Sequence, residues 1–161
     1  MIGALKSGQV DTMIMVPHIA KPLVKGGAAK KLGMLYDYAE YQISTLFTST
    51  KNTEERRDVV KRFVKAYARG IAEFNRVMLD PKADPAEKEA LTKIIHKYVY
   101  KDRPYEKAAG SIRNGAMRIN ADAAMNAASI KDQLDWFKAE KLVKDSITFE
   151  TLVDSSYVKT L

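Results

Sequence analysis

The chain opens with a pattern that predicts a short helix, a glycine turn and a buried strand. An apolar turn around Leu5 is followed by Gly8, a residue type that suits the left-handed C-cap of a helix. The apolar residues 13–16 then lie between Asp11 and Pro17, as is typical of a core strand in an α/β domain. A strand of this kind needs neighbours in a sheet, which other parts of the protein must supply.

Two more short segments have the composition of strands. Residues 31–35 follow a predicted helix over residues 18–25 and a break at Gly26, which gives a strand–helix–strand order. Residues 43–48 are rich in β-branched and aromatic side chains, which favour the strand conformation. The sequence therefore predicts a helix-rich α/β fold.

The longest predicted helix covers residues 52–79. Its apolar side chains recur at intervals of three and four residues, which places them in one stripe along a helix. Pro81 cannot continue the helix, so we expect it to end near Leu79. The stripe consists of Val59, Val60, Phe63, Val64, Tyr67, Ala68, Ile71, Phe74, Val77 and Met78.

Capping residues predict further helices in the second half of the chain. Asp84 followed by a proline is a helix-start pattern, and a second start at residue 102 leads into a helix that ends at Gly110. Another helix is expected to open at Ser129, and a short helical turn at residues 149–154. Helices thus dominate the region after residue 52.

Four segments together resemble the solute-binding proteins of nitrate/sulfonate/taurine-type ABC importers, with the thiamine-pyrimidine-precursor-binding relatives looking most similar. The order and spacing of the segments carry the resemblance, which covers residues 1 to about 160 but only the C-terminal half of a complete family member. The segments are residues 5–12 (LKSGQVDT), 33–37 (GMLYD), 132–137 (DQLDWF) and 152–158 (LVDSSYV).

The resemblance implies part of a type II periplasmic-binding-protein fold. Residues 1–42 would form the C-terminal part of lobe two and the crossover, and residues 43–161 would supply the returning strand and helices of lobe one. It further implies capture of a small anion or heterocycle, delivery to an ABC permease and a periplasmic location, although this sequence shows no signal peptide. Because sheet edges would be left open, we also expect a homodimer or a domain-swapped assembly.

The candidate ligand-binding residues follow the first two predicted strands. Val16, Pro17 and His18 come directly after the first strand, where α/β proteins place ligands beside a helix N-terminus. Here Val16 and Pro17 replace the tryptophan and aspartate of the taurine-like pattern, so an amine-bearing ligand would lose its carboxylate partner. His18 is equally compatible with an ordinary helix-start role.

A second candidate group, Tyr36, Asp37 and Tyr38, follows the next predicted strand. Tyrosine rings can stack on a planar ligand while their hydroxyl groups remain hydrogen-bonded. Packing at the hinge between the lobes is the plainer explanation for these side chains.

Composition excludes several other functions. The chain has no cysteine, and its two histidines, His18 and His96, have no metal-ligand neighbours at helical spacing, so we expect no metal site and no cofactor. No catalytic motif is present, so we expect a binding protein and not an enzyme. The net charge of +7 is spread over helix faces, which argues against a nucleic-acid partner.

Two alternatives remain open from the sequence. The long helix over residues 52–79 would also suit a helical protein-interaction module, and the chain would also be compatible with a non-functional truncated fragment of a binding protein. A predominantly helical structure without sheet would favour the interaction module.

Overall fold

A computed structural model of the protein describes residues 2–161. The fold is helix-rich, and the described residues contain no strand, only a single bridge between Met125 and Thr160. Short 3₁₀ helices cover Leu35–Asp37 and Ala121–Ala123. The α-helices are α1 (Ile2–Lys6), α2 (Pro17–Lys25), α3 (Thr50–Glu55), α4 (Arg57–Phe74), α5 (Pro85–Val99), α6 (Tyr105–Asn114), α7 (Ala127–Ala139) and α8 (Phe149–Leu152).

The predicted helix and glycine turn at the start of the chain are confirmed. Gly8 has φ = +71°, a left-handed conformation that side chains disfavour. The amide of Gln9 donates to the carbonyl of Ala4 at 2.9 Å, which satisfies one of the carbonyls that a helix end leaves open.

The three predicted strands are wrong for the described chain. Residues 12–16, 31–35 and 43–48 include no strand, and the amides of residues 43–48 donate no hydrogen bond to any residue of the range 2–161. A strand exists only when a neighbouring backbone accepts and donates its hydrogen bonds, and no described segment is aligned to do so. The predicted helix-rich character is therefore confirmed, whereas the strands of the α/β class are not seen in the described residues.

One compact unit consists of residues 2–35 and Phe74–Arg118. Within it α6 packs against both α2 and α5. The core contains Met78, Ala108 and Ile112, and these three buried side chains are surrounded by Phe74, Leu91, Ile95, Tyr100 and Ala116. This unit holds the start of α2, where the sequence places the first group of ligand-binding candidates.

The predicted start of α5 is confirmed, whereas the predicted end of α6 is wrong. The carboxylate of Asp84 accepts a hydrogen bond from the amide of Ala86 at 2.9 Å, and Pro85 occupies the first helical position. α6 continues through Gly110 to Asn114. Glycine lowers helix stability by only about 1 kcal/mol, which the buried Ala108 and Ile112 on this helix offset.

The second compact unit consists of Tyr36–Glu73 and Ile119–Leu161. A half-buried polar network ties its two segments together: the amide of Gln42 donates to the hydroxyl of Ser129 at 3.0 Å, and the amide of Asn126 donates to the side-chain carbonyl of Gln42 at 3.0 Å. The side chain of Gln133 donates to the backbone carbonyl of Gln42 at 3.1 Å. Leu134 supplies buried apolar packing on α7.

The long helix predicted over residues 52–79 is divided into three parts. α3 ends at Glu55, because the next residue, Arg56, has a backbone (φ −132°, ψ 35°) that is not helical, and α4 begins at Arg57. A turn of π-helix, Asn75–Leu79, follows α4. The helix start also differs from the prediction, because the cap of α3 is Ser49, whose hydroxyl accepts from the amide of Asn52.

The predicted division into residues 1–42 and 43–161 refers to the lobes of a larger protein, and it stays a prediction. The compact units described above alternate along the sequence and follow packing within this chain alone.

Candidate functional site

The first group of candidate residues forms the start of α2. Val16 is the N-cap residue, with an extended backbone (φ −67°, ψ 147°), and Pro17 occupies the first helical position. The carbonyl of Val16 accepts hydrogen bonds from the amides of Ile19 at 3.0 Å and Ala20 at 3.1 Å. Val16, Pro17 and His18 therefore lie in one helix turn, whereas the sequence predicted Val16 as the end of a strand and a helix from residue 18.

The electrostatics of this helix start favour an anion. No side chain caps the helix, and its first turn contains no acidic residue. The aligned peptide dipoles place partial positive charge at a helix N-terminus, so a negatively charged group is stabilised there. The missing N–H of Pro17 removes one donor, which leaves the amide of His18 as the first donor of the helix.

His18 is held against the end of α6. A Cβ on Gly115 would come within 3.3 Å of His18 Nδ1 and 3.4 Å of His18 Cβ, and within 2.9 Å of the carbonyl of Ser111. Only glycine leaves room for this approach. The His18 side chain is half-buried, and neither ring nitrogen is hydrogen-bonded to any described residue.

The second group, Tyr36, Asp37 and Tyr38, follows Leu35 at the 3₁₀ helix. Both tyrosine rings are exposed to solvent. The two groups of candidates belong to different compact units. Two adjacent exposed rings provide stacking surface for a planar molecule but no enclosed pocket.

The structure also shows a polar cluster that the sequence does not predict. Arg57, at the start of α4, lies 3.4 Å from the Asp154 carboxylate, donates to the Ser156 hydroxyl at 2.7 Å and covers the ring of Tyr157 at 4.8 Å. The Ser156 hydroxyl and amide, together with Arg57, hold the pKa of Asp154 below its ordinary value. Because these residues lie about a hundred positions from Arg57, no local sequence pattern indicates the contact.

A shallow apolar depression of about 370 Å³ lies beside α7 in the second unit. Its one polar lining residue, Gln133, directs its side-chain N–H groups to Gln42 and Ser129 instead. The apolar lining residues are Ile130, Leu134, Phe137, Val143, Ile147 and Leu152. The depression thus offers apolar contact and no charged group to orient a ligand.

Within residues 2–161 no three side chains of the metal-ligating types come together as a metal site. None of the helices in that range combines the length and hydrophobicity that crossing a bilayer requires. No family model matches the chain, and no curated protein or solved structure shows significant similarity to it.

Proposed function

We propose that the chain is the small-solute-binding component of an ABC importer and corresponds to the C-terminal half of a two-lobed binding protein. The observation that carries the proposal is the start of α2. There the His18 imidazole is half-buried, lacks a hydrogen-bond partner among the described residues and stands beside an uncapped helix N-terminus. The resemblance of four ordered sequence segments supports the same function.

The finer fold, part of a type II periplasmic-binding-protein fold, belongs to this proposal. Along residues 12–16 the side chains alternate: Met13 and Met15 are half-buried, whereas Ile14 is 77% and Val16 42% exposed. A strand that is apolar on both sides is typical of a parallel sheet covered on both faces. In a complete binding protein, residues of this kind would be central strands whose neighbours come from the other half.

The chemistry at the start of α2 fits a small anion or a heterocycle that accepts hydrogen bonds. An imidazole N–H and a helix N-terminus both donate to oxygen or ring nitrogen, and no nearby carboxylate in the first turn of α2 would bind an amine. In the other compact unit, the exposed rings of Tyr36 and Tyr38 offer a separate stacking surface to a planar molecule. The binding protein would be periplasmic and would deliver the solute to an ABC permease without catalysing a reaction.

The proposal is tested by titration calorimetry with nitrate, taurine and a hydroxymethyl aminopyrimidine. We expect weak, saturable binding of at least one of these, because only part of the cleft is present. Loss of a hydrogen bond to a charged ligand weakens binding by about tenfold or more, so His18→Ala should show that loss.

His18→Phe is the matched control for packing. It keeps a planar ring against Gly115 but removes both ring nitrogens, so it should lose binding while retaining thermal stability. Saturable heat from none of the three ligands, or an affinity that His18→Ala leaves unchanged, would contradict the proposed function.

A second candidate function, a helical protein-interaction module, is favoured by a different observation. The structure is helical without strands in its described residues, and the outer side of α4 exposes Val59, Phe63 and Tyr67. Stabilisation by a protein partner, without any effect of the three small molecules, would favour this alternative.

A further inference from the structure

The two compact units differ strongly in charge. The first unit has fifteen Lys and Arg residues against seven Asp and Glu, a net charge of +8, whereas the second has twelve against thirteen, a net charge of −1. The two values together give the +7 of the whole chain. The positive charge therefore belongs to one unit of the fold, and a unit of this charge is attracted to anionic surfaces.

The positive charge of the first unit is densest at α2 and the residues that follow it. Residues 12–36 contain four lysines and neither aspartate nor glutamate. The four lysine side chains are exposed, and none forms a hydrogen bond or an ion pair with a described residue. They are Lys21, Lys25, Lys30 and Lys31.

The carboxylates of this unit do not neutralise these lysines. Apart from Asp11, all of them lie in residues 80–106, and none comes within ion-pair distance of the four ammonium groups. Four of the carboxylates already have partners elsewhere in the unit, which are backbone amides or arginine side chains: Asp80, Asp84, Glu87 and Glu89. The four lysines are therefore free to bind an external anion.

The lysines lie on one exposed stretch of chain, residues 21–32, which we call the lysine segment. Lys21 and Lys25 are four residues apart and so share a side of α2, while half-buried Leu23 lies on the side that packs against α6. The amide of Ala28 donates to the carbonyl of Leu23 at 2.9 Å, which ends the helix. Lys31 is three residues further on, at most about 11 Å away.

Two exposed aliphatic side chains lie among these lysines. Leu32 is 78% exposed and directly follows Lys31, and Val24 is 41% exposed and directly precedes Lys25. Basic groups that alternate with exposed apolar groups are typical of surfaces that bind at the headgroup layer of a membrane.

We propose that the lysine segment is a docking surface for a membrane that contains anionic phospholipids. The ammonium groups pair with lipid phosphates, while Leu32 enters the layer between the headgroups. Clusters of about four or more basic residues are typical of binding to anionic lipids. Single-stranded nucleic acid fits less well, because its binding relies on aromatic rings that stack on the bases and residues 19–35 contain no aromatic residue.

This inference goes beyond the proposed function, and neither depends on the other. Solute capture involves His18 in the first turn of α2, whereas membrane docking involves the lysines from the other end of α2 onward. His18→Ala should leave vesicle binding unchanged, so failure of the one proposal can be distinguished from failure of the other.

Co-sedimentation of the chain with lipid vesicles at low ionic strength tests the docking surface. We expect binding to vesicles of phosphatidylcholine and phosphatidylglycerol in equal parts, none to phosphatidylcholine alone, and release by high salt. Replacing Lys25, Lys30 and Lys31 together by glutamine should weaken binding roughly a hundredfold, because each lysine at an anionic surface contributes about fivefold.

A matched triple variant separates the lysine segment from net charge alone. Glutamine at Lys138, Lys141 and Lys144 removes the same charge from the second unit, where these lysines have no described partner. This variant should bind vesicles within about twofold of the unaltered chain. Circular dichroism should show both triple variants to be helical. Equal losses in the two variants would overturn the proposal.

Tryptophan fluorescence tests the entry of Leu32 into the headgroup layer. Trp136 is the chain's one tryptophan, so Leu32→Trp in a Trp136→Phe background reports on position 32 alone. Its emission should shift to shorter wavelength on anionic vesicles, whereas Leu142→Trp, which replaces another exposed leucine in the second unit, should show no shift. An unaltered chain that does not bind anionic vesicles, that retains RNA or DNA instead, or that binds without the shift at position 32 would overturn the proposal.

Discussion

The close contact between His18 and Gly115 leaves no room for a methyl group at position 115. A Cβ at position 115 would lie 2.9 Å from the carbonyl of Ser111 and 3.3 Å from His18 Nδ1, so Gly115→Ala must displace one of them. We expect destabilisation of about 1–3 kcal/mol by this overpacking. A Cβ on Gly110, inside α6, would meet no atom within 4 Å, so Gly110→Ala should instead stabilise the fold by up to about 1 kcal/mol. Chemical denaturation measures the free energy of unfolding of both variants. Equal effects of the two substitutions would contradict the steric role assigned to Gly115.

The cap of α5 predicts a second difference between related variants. Asp84→Ala leaves the amide of Ala86 without its acceptor and should lower the free energy of unfolding by about 1 kcal/mol. Asp84→Asn keeps a capping oxygen and should change stability much less. If Asn and Ala were equally destabilising, the hydrogen bond to Ala86 would not be the stabilising contact.

Asp154 predicts a pH dependence of stability. Ser156 donates its hydroxyl at 2.5 Å and its amide at 3.0 Å to the carboxylate, and with the Arg57 guanidinium these contacts lower the pKa of Asp154 in the folded state. A lowered pKa stabilises the fold when the group is ionised in both states. The contribution is therefore present above about pH 4 and is lost as the pH falls through the lower, folded-state pKa.

Asp154→Asn should accordingly reduce the unfolding free energy at neutral pH and have little effect in strong acid. Asp145→Asn, an exposed aspartate of the same unit, is the control and should change neither. A difference between Asp154→Asn and the unaltered chain that persists unchanged in acid would contradict the assigned role of the carboxylate.

At the scale of elements, helices were predictable and strands were not, for one physical reason. A helix satisfies its hydrogen bonds within its own segment, so the caps at Asp84 and Gly8 and the spacing in α4 and α5 carry enough information. A strand depends on a neighbour that its own residues do not specify. Residues 43–48 have strand composition, yet Phe47 is 89% exposed and no described backbone pairs with the segment.

This absence of pairing predicts rapid hydrogen exchange. The amides of residues 43–48 should exchange within seconds, whereas the amides in α5 and α6, which pack on each other, should be protected. Exchange followed by mass spectrometry separates these segments. Protection of residues 43–48 as strong as that of α5 would mean that they belong to a sheet.

At the scale of the whole molecule, the sequence predicted parts of the site but not its surroundings. The helix predicted over residues 18–25 is present and begins one residue earlier, at Pro17, but Val16 is its N-cap and not the end of a strand. The approach of His18 to Gly115 joins positions nearly a hundred residues apart, so only tertiary packing determines it. The same holds for Arg57 with Asp154 and for the exposed outer face of α4.

An amide and imidazole NMR titration of the chain with nitrate, taurine and a hydroxymethyl aminopyrimidine tests the proposed solute capture at the start of α2. NMR detects weak binding and locates it on the chain. We expect concentration-dependent shifts centred on His18, Ile19 and Gly115 with at least one of these molecules. No shift at high ligand concentration, or shifts scattered over exposed lysines with none at His18, would contradict it.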